Sequence, residues 1–354
     1  MKTKEKICSN DKILNPKTNR CVLKNGLIGK KLIKTKITET KVINKNKCDD
    51  IFIDWSDNSC YLDSLLVAFF NTKDKIIEDL ILNVEINDYG SEKLRILGLK
   101  IQEELTKKYK IISNQIKIKQ KQTCVNLRKL LNTYYKKLIK INPDKRILFE
   151  SNDNWTTSQL DVFELFEFIL TIFKIPETTL KIQEGANIIY SNFKNLIPID
   201  FIYNKKVLKI QDIYPTYTLK YKLDKDNQYK NSKGKKQSYF TKKYEILKGN
   251  KLFISIYRNQ GEDDKSNIKV IPCDKIKLKE NSFNLYLTAI ILHYGSSVHN
   301  GHYICLYKCD NNWYEYNDMD TSGIKKIGKI SEIIKNVNYT KNIVGLVYSK
   351  LDIT

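Results

Sequence analysis

The chain holds three histidines, His293, His299 and His302. A base that works near neutral pH is most often an imidazole, so the candidates for proton transfer are few. His302 leads into the apolar run Ile304 to Tyr307 and follows a loop, Gly295 to Gly301, whose last glycine allows a close approach of backbone to a partner. Asn317 and Asp318 close a second strand-like run, Trp313 to Tyr316. Antiparallel pairing of the two runs would bring Asn317 to His302 and let it hold the ring. The nucleophile to match is Cys60, which follows the polar turn Asp57-Asn58-Ser59 and opens the apolar run Cys60 to Phe70. At a helix N-terminus, unpaired amides favour thiolate over thiol. The same amides can bind an oxyanion, at about 3–4 kcal/mol per good donor in comparable sites. A cysteine, a histidine and an asparagine are one way to build a thiol protease.

By spacing alone any of the eight cysteines is equally a small buried hydrophobe. That reading is preferred for Cys124, Cys273, Cys305 and Cys309. The chain has no C-x-x-C pair, and the nearest spacing, Cys305 to Cys309, lacks a second pair to complete four ligands, so no structural zinc is expected. Cys8 and Cys21 could pair with each other or share a metal with partners.

Several elements must position these groups. Leu62, Leu65, Leu66 and Phe69 recur at helical spacing, which predicts a buried helix over residues 60–70. Residues 94–140 predict further amphipathic helices with lysine faces, and Ser158 to Phe173 another helix, with Ser158 as N-cap. From about residue 178 the apolar period shifts towards two. Strands are expected near 199–203, 207–213, 217–221, 239–247, 251–257, 284–293, 302–308, 312–316 and 343–349. The lysine-rich stretch 224–236 reads as a loop. A helical half followed by an antiparallel half implies an α+β fold.

The 354 residues suggest about two domains, and 41% apolar content is enough for a sizeable core. No run approaches the ~18–20 apolar residues of a membrane span, and no signal peptide is legible, so no membrane partner is expected. Dilute cysteines point to a reducing compartment, which makes the cytoplasm the expected location. The formal charge of +22 raises nucleic-acid binding as an idea, yet only five of the 62 basic residues are arginine. The guanidinium fork that reads bases and phosphates is therefore scarce. Abundant Ile, Asn and Lys point instead to an AT-rich coding sequence, and nucleic acid is not the expected partner.

Residues 1–48 stand apart as a polar, lysine-rich segment from a folded domain over 49–354. The run Asn15 to Cys21 with Gly26 and Gly29 resembles the two-cysteine adaptor module of large DNA viruses. That resemblance implies docking to an unknown partner, and a viral origin with the host cytoplasm or virion as location.

Within 49–354, the stretch Asn58 to Leu66 resembles the cysteine box of ubiquitin-specific proteases, and Gly301-His302-Tyr303 through Trp313 to Asp318 resembles their histidine box. Gln159 to Leu165, Leu252 to Arg258, Tyr286 to Gly295 and Val344 to Tyr348 match intermediate landmarks in the family's order. The resemblance implies a papain-like cysteine protease with a helical thumb, an antiparallel β palm and shortened fingers lacking a zinc ribbon. It implies cleavage after the C-terminal glycine of ubiquitin, with no cofactor. Cys60 would attack, His302 would serve as base and acid, and Asn317 would orient it with help from Asp318. Asp161 and Glu164, three apart on one helix face, would meet the basic tail of ubiquitin; Asp161 also has a spacing suited to helix capping. Two departures stand out. Trp55 occupies the position where the family usually carries an oxyanion-binding asparagine, leaving Asn58 as the nearest replacement. Asp63 occupies another usual asparagine position, a feature shared with the SUMO-directed branch. A protease for SUMO or another ubiquitin-like modifier, and a catalytically weak ubiquitin-binding adaptor, are the alternatives.

Overall fold

The computed structural model describes residues 12–15, 20–23, 48, 53–71, 77–113, 122–144, 155, 159–175, 178–184, 187–193, 196–199, 206–212, 216–222, 229–230, 236–237, 239–258, 265–297, 300–320 and 324–351. Cys8, Gly26, Gly29, Ser158, His299 and most of the 224–236 stretch lie outside these residues. The chain divides into two units, Met1–Lys47 and Cys48–Thr354. In the first, β1 (Lys12–Asn15) and β2 (Arg20–Leu23) form an antiparallel hairpin that pairs Asn15 with Arg20. Cys21, on β2, is disulfide-bonded.

The second unit begins with helices. In α1 (Cys60–Phe70) every residue is buried, which is the signature of a helix enclosed on all sides. α2 (Glu92–Ile112) buries Leu94, Gly98, Ile101, Leu105, Tyr109 and Ile112 at three- and four-residue intervals. α3 (Val125–Ile141) does the same through Leu127, Leu131, Tyr134, Tyr135 and Leu138. Their lysines face outward because an ammonium head is costly to desolvate. α4 (Val162–Ile172) starts four residues later than the sequence suggested. Its N-cap is Asp161, whose carboxylate accepts the N–H groups of Phe163 (2.7 Å) and Glu164 (3.1 Å).

The strands follow in order: β3 (Thr178–Glu184), β4 (Asn187–Phe193), β5 (Leu196–Ile199), β6 (Val207–Lys209), β7 (Thr216–Lys222), β8 (Tyr229–Lys230), β9 (Lys236–Gln237), β10 (Tyr239–Ile246), β11 (Lys251–Ile256), β12 (Lys269–Ile271), β13 (Lys275–Lys277), β14 (Asn284–Tyr294), β15 (His302–Cys309), β16 (Asn312–Tyr316), β17 (Ile324–Gly328) and β18 (Ile343–Ser349). Two short helices, α5 (Ile330–Lys335) and α6 (Val337–Asn342), precede the last strand. The main sheet runs β17-β16-β15-β14-β18-β11-β5, with β13 beside β14. It is antiparallel except for the pairing of β5 with β11. A second sheet, β4-β3-β10-β7, is wholly antiparallel. The expected strand at 199–203 lies instead at 196–199, and that at 207–213 breaks after Lys209 into a 3-10 turn.

The main sheet is buried on both faces. Ala289, Ile291, Tyr303, Cys305, Tyr307 and Val347 meet the helices, while Ile290, Leu292, Ile304, Leu306, Leu346 and Tyr348 face a second cluster with Ile333 and Tyr339. Each fully buried side chain of this size contributes about 1.5–3 kcal/mol. α1 packs on β15 and β14, and this contact sets Cys60 against the start of β15.

Candidate active site

The turn entering α1 is left-handed at two successive residues, Asp57 (φ 43°) and Asn58 (φ 61°). Aspartate and asparagine adopt this backbone more readily than other residues bearing a Cβ. Three hydrogen bonds pin the turn. Ser56 N–H donates to Ser59 Oγ at 2.9 Å, and Arg128 Nη1 donates to the carbonyls of Ser56 (3.0 Å) and Asp57 (2.7 Å). Arg128 reaches them from α3 and also gives Nε to the Tyr61 hydroxyl at 3.1 Å. It is 1% exposed, and the sequence reading assigned it no role. A signal was present: Arg128 lies on the buried face that Leu127, Leu131 and Tyr135 define.

Cys60 is buried, with the N–H groups of Tyr303 and Tyr61 directed at its sulfur. The amides that favour thiolate are outweighed here. Burial, reinforced by the nearby carboxyls of Asp318 and Asp63, pushes the Cys60 thiol up to about 11, against the opposing pull of the two amides. The resting nucleophile is therefore a thiol and needs a base.

His302 begins β15, one residue before the Tyr303 amide that meets Cys60. β15 pairs with β16 in the register Cys305 to Tyr316, so the chain leaves the ladder at Asn317 beside the ring. Asn317 Oδ1 lies 2.8 Å from His302 Nε2 and also accepts the Met319 N–H at 3.1 Å. The second bond identifies that atom as the amide oxygen, so Nε2 carries the proton and Nδ1 is left as the basic nitrogen. Asp318 Oδ1 lies 3.5 Å from the same Nε2. His293 cannot take this part. It is buried against the Tyr303 ring, and burial, aided by Lys265, lowers it to about 4.

The loop before His302 is fixed by close approach. A Cβ on Gly301 would overlap the Tyr294 carbonyl oxygen and the His293 ring. Gln159 clasps the same residue, donating Nε2 to the Gly301 carbonyl (2.7 Å) and accepting its N–H at Oε1 (3.2 Å). Gln159 lies two residues before the α4 cap, so the clasp links that helix to the histidine loop.

Asn58 is exposed beside Cys60, and Trp55 is 40% exposed. Asp161 is committed to capping α4 and to the Tyr303 hydroxyl, while Glu164 is exposed. Of the two carboxylates in the sequence reading, Glu164 is thus the one free of the helix cap.

Cys309 departs from the buried-hydrophobe reading: it forms a disulfide with Cys48, 261 positions away. Tyr307 also donates its hydroxyl to the Cys48 carbonyl. Among the described residues, the one grouping of metal-ligand types is Cys48, Cys309 and Asp310, and its two sulfurs are bonded to each other. Cys305 is buried as expected, and Cys273 is half-buried against the Tyr348 hydroxyl at 3.4 Å. Cys124 is buried too, with its thiol directed at Asp63.

The model of the family described as ubiquitin carboxyl-terminal hydrolase matches residues 56–342. A solved structure of the SAGA DUB module, Ubp8/Sgf11/Sus1/Sgf73 bound to monoubiquitin, aligns with a TM-score of 0.50 at 17% identity, covering 96% of this chain and 78% of that one. The same module bound to ubiquitin aldehyde gives 0.47 at the same identity and coverage. No curated protein matches the sequence.

Proposed function

The chain belongs to the ubiquitin carboxyl-terminal hydrolase family and is a cysteine-type deubiquitinating enzyme, and from that premise we propose the following roles for its residues. His302 Nδ1 takes the Cys60 proton as the sulfur attacks the carbonyl after the C-terminal glycine of ubiquitin. The backbone amides at the start of α1, with the Asn58 side chain beside them, receive the developing oxyanion. The imidazolium then protonates the departing lysine amine, leaving a thioester that water hydrolyses with His302 again as base. Asn317 holds the ring in the required tautomer, and Asp318 supplies negative charge beside it. Glu164, with Asp161 behind it, receives the basic tail of ubiquitin.

The observation that carries this reading is the Asn317 oxygen shared between His302 and Met319, which assigns Nδ1 as the basic nitrogen of a histidine whose next residue, Tyr303, directs its amide at the buried Cys60 sulfur. The resemblance of residues 15–29 to a viral adaptor supports docking of the N-terminal segment to a partner, and a viral enzyme working in the host cytoplasm or virion.

Propargylamide probes of ubiquitin and of SUMO test the reading. Labelling by the ubiquitin probe that disappears in Cys60→Ser is expected. Labelling by the SUMO probe alone transfers the assignment to that modifier, as the Asp63 feature would allow. Labelling by neither leaves a binding role.

A further inference from the structure

Beneath Cys60 and His302 two carboxyl groups meet in the core. Asp63, one turn into α1, and Asp318, after β16, are 0% and 4% exposed and lie within hydrogen-bonding reach of each other. Asp63 Oδ2 accepts the Ser59 hydroxyl. The Cys124 thiol is directed at Asp63, and the backbone N–H groups of Asp318 and Met319 at the Asp318 carboxylate, yet Asp63 Oδ1 and both Asp318 oxygens lack a hydrogen bond of good geometry. Buried polar atoms in native cores are paired in the great majority. One proton placed between the two groups satisfies an oxygen on each side at once.

We propose that Asp63 is a positioning residue for the reaction: as a neutral carboxylic acid it donates its proton to Asp318 and fixes that carboxylate beside the His302 ring. The neighbours decide which partner keeps the proton. Facing Asp63 are the Ser59 hydroxyl just before α1, Cys60 and Tyr61 from α1, Cys124 just before α3, and Tyr316 from β16. Two cations stand near Cys124, but Lys108 donates to the Thr123 carbonyl and Arg128 to the carbonyls and hydroxyl described above. Asp318 instead faces the one imidazole of the site. Burial and then repulsion by Asp318 drive Asp63 well up, whereas Asp63 and His302 both oppose the burial that raises Asp318. The proton therefore rests on Asp63 and the charge on Asp318.

The arrangement also accounts for a departure from the family pattern. A neutral carboxyl offers an accepting carbonyl oxygen and an O–H donor, where a carboxamide of the same shape offers an accepting carbonyl oxygen and an NH₂ donor. Aspartate can stand where asparagine is usual because it is protonated there.

The inference rests on the deubiquitinase reading for its kinetic consequences only. The test therefore joins an infrared measurement to kinetics on a fluorogenic ubiquitin substrate. Desolvation raises Glu164 to about 7, so it contributes a carboxylic-acid band of its own at pH 7. The difference spectrum, wild type minus Asp63→Asn, should therefore show the carbonyl stretch of one further protonated carboxylic acid. Asp63→Asn should keep kcat within about threefold, since it retains one donor and one acceptor. Asp63→Leu should lower kcat about tenfold or more with KM little changed, because Asp318 loses its donor. Losing that donor raises the Asp318 carboxyl, so the acid limb of the pH profile should move to higher pH in Asp63→Leu and not in Asp63→Asn. A difference spectrum without that band, or Asp63→Asn as impaired as Asp63→Leu, overturns the inference. A difference spectrum with the band, from a wild-type enzyme that leaves ubiquitin uncleaved, would instead overturn the assignment of substrate.

Discussion

The His302 ring is held through Nε2 by Asn317, at 2.8 Å, and the same oxygen is held in turn by the backbone of Met319. Asn317 therefore fixes orientation and tautomer, while His302 carries the proton. Removing the two should have unequal consequences. His302→Ala is expected to lower kcat by about 100- to 10,000-fold, the usual contribution of a general base. Asn317→Ala should cost about ten- to a hundredfold, with KM little affected, because the imidazole remains but is free to rotate. Steady-state kinetics on a ubiquitin substrate measure both. Equal losses would show that Asn317 does more than orient.

The thiol of Cys60 is pushed up to about 11 by burial and by the carboxyls near it. A raised pKa means that less thiolate exists at any given pH than in a free cysteine. Alkylation of the resting enzyme by iodoacetamide should thus rise steadily from pH 7 to beyond pH 9, with no plateau near neutrality. A plateau below pH 8, read from the labelling rate at Cys60 by mass spectrometry, would mean that a thiolate–imidazolium pair already exists before substrate binds.

How much of this was legible in the sequence depends on whether the determining contact is local. Residues 60–70 form the expected helix because an apolar run of that length, set off by a polar turn, has few other solutions. The strand that begins at His302 and the one that ends before Asn317 were equally readable, since β15 and β16 are joined by a tight turn at Asp310 and Asn311. Arg128 was not, because its partners lie some 70 positions away on a turn whose left-handed backbone the sequence only hints at. The start of α4 was misplaced because Asp161, counted as a residue of the helix, is itself the cap. The β3–β4 hairpin and the α5–α6 pair were missed for a different reason: each element is only six or seven residues long, too short a window for its period to single it out.

Arg128 ties the nucleophile's turn to α3, and the effect should be visible as both stability and rate. Arg128→Met keeps the buried stem but leaves the Ser56 and Asp57 carbonyls without their donor. Each buried acceptor left unpaired costs about 1–3 kcal/mol. The variant should unfold at a lower denaturant concentration and, where it is still folded, turn over more slowly. Unchanged kcat in the folded variant would show that the turn holds its shape without Arg128.

Asp161 and Glu164 should separate into two phenotypes. Asp161→Ala removes a cap bonded to two helix N–H groups and should lower stability by about 1 kcal/mol. Glu164→Arg changes an exposed side chain and should leave the melting temperature unchanged. It should raise KM for intact ubiquitin about tenfold while sparing a minimal peptide substrate. Equal loss on both substrates would assign Glu164 to the fold rather than to the tail.

The Cys48–Cys309 bond closes a loop that contains nearly the whole catalytic unit, anchoring the strand of His302 at its far end. Cross-links over long loops restrict the unfolded chain most, and a typical one contributes about 2–4 kcal/mol. Cys309→Ser should therefore lower the denaturation midpoint by a corresponding amount. Addition of dithiothreitol should bring the wild type to the same midpoint and leave the variant where it was. Activity at 25 °C should survive in both, since Cys60 takes no part in the bond and the reductant keeps it a thiol. A wild type that responds to dithiothreitol no more than Cys309→Ser does would show that the two sulfurs are not bonded in solution.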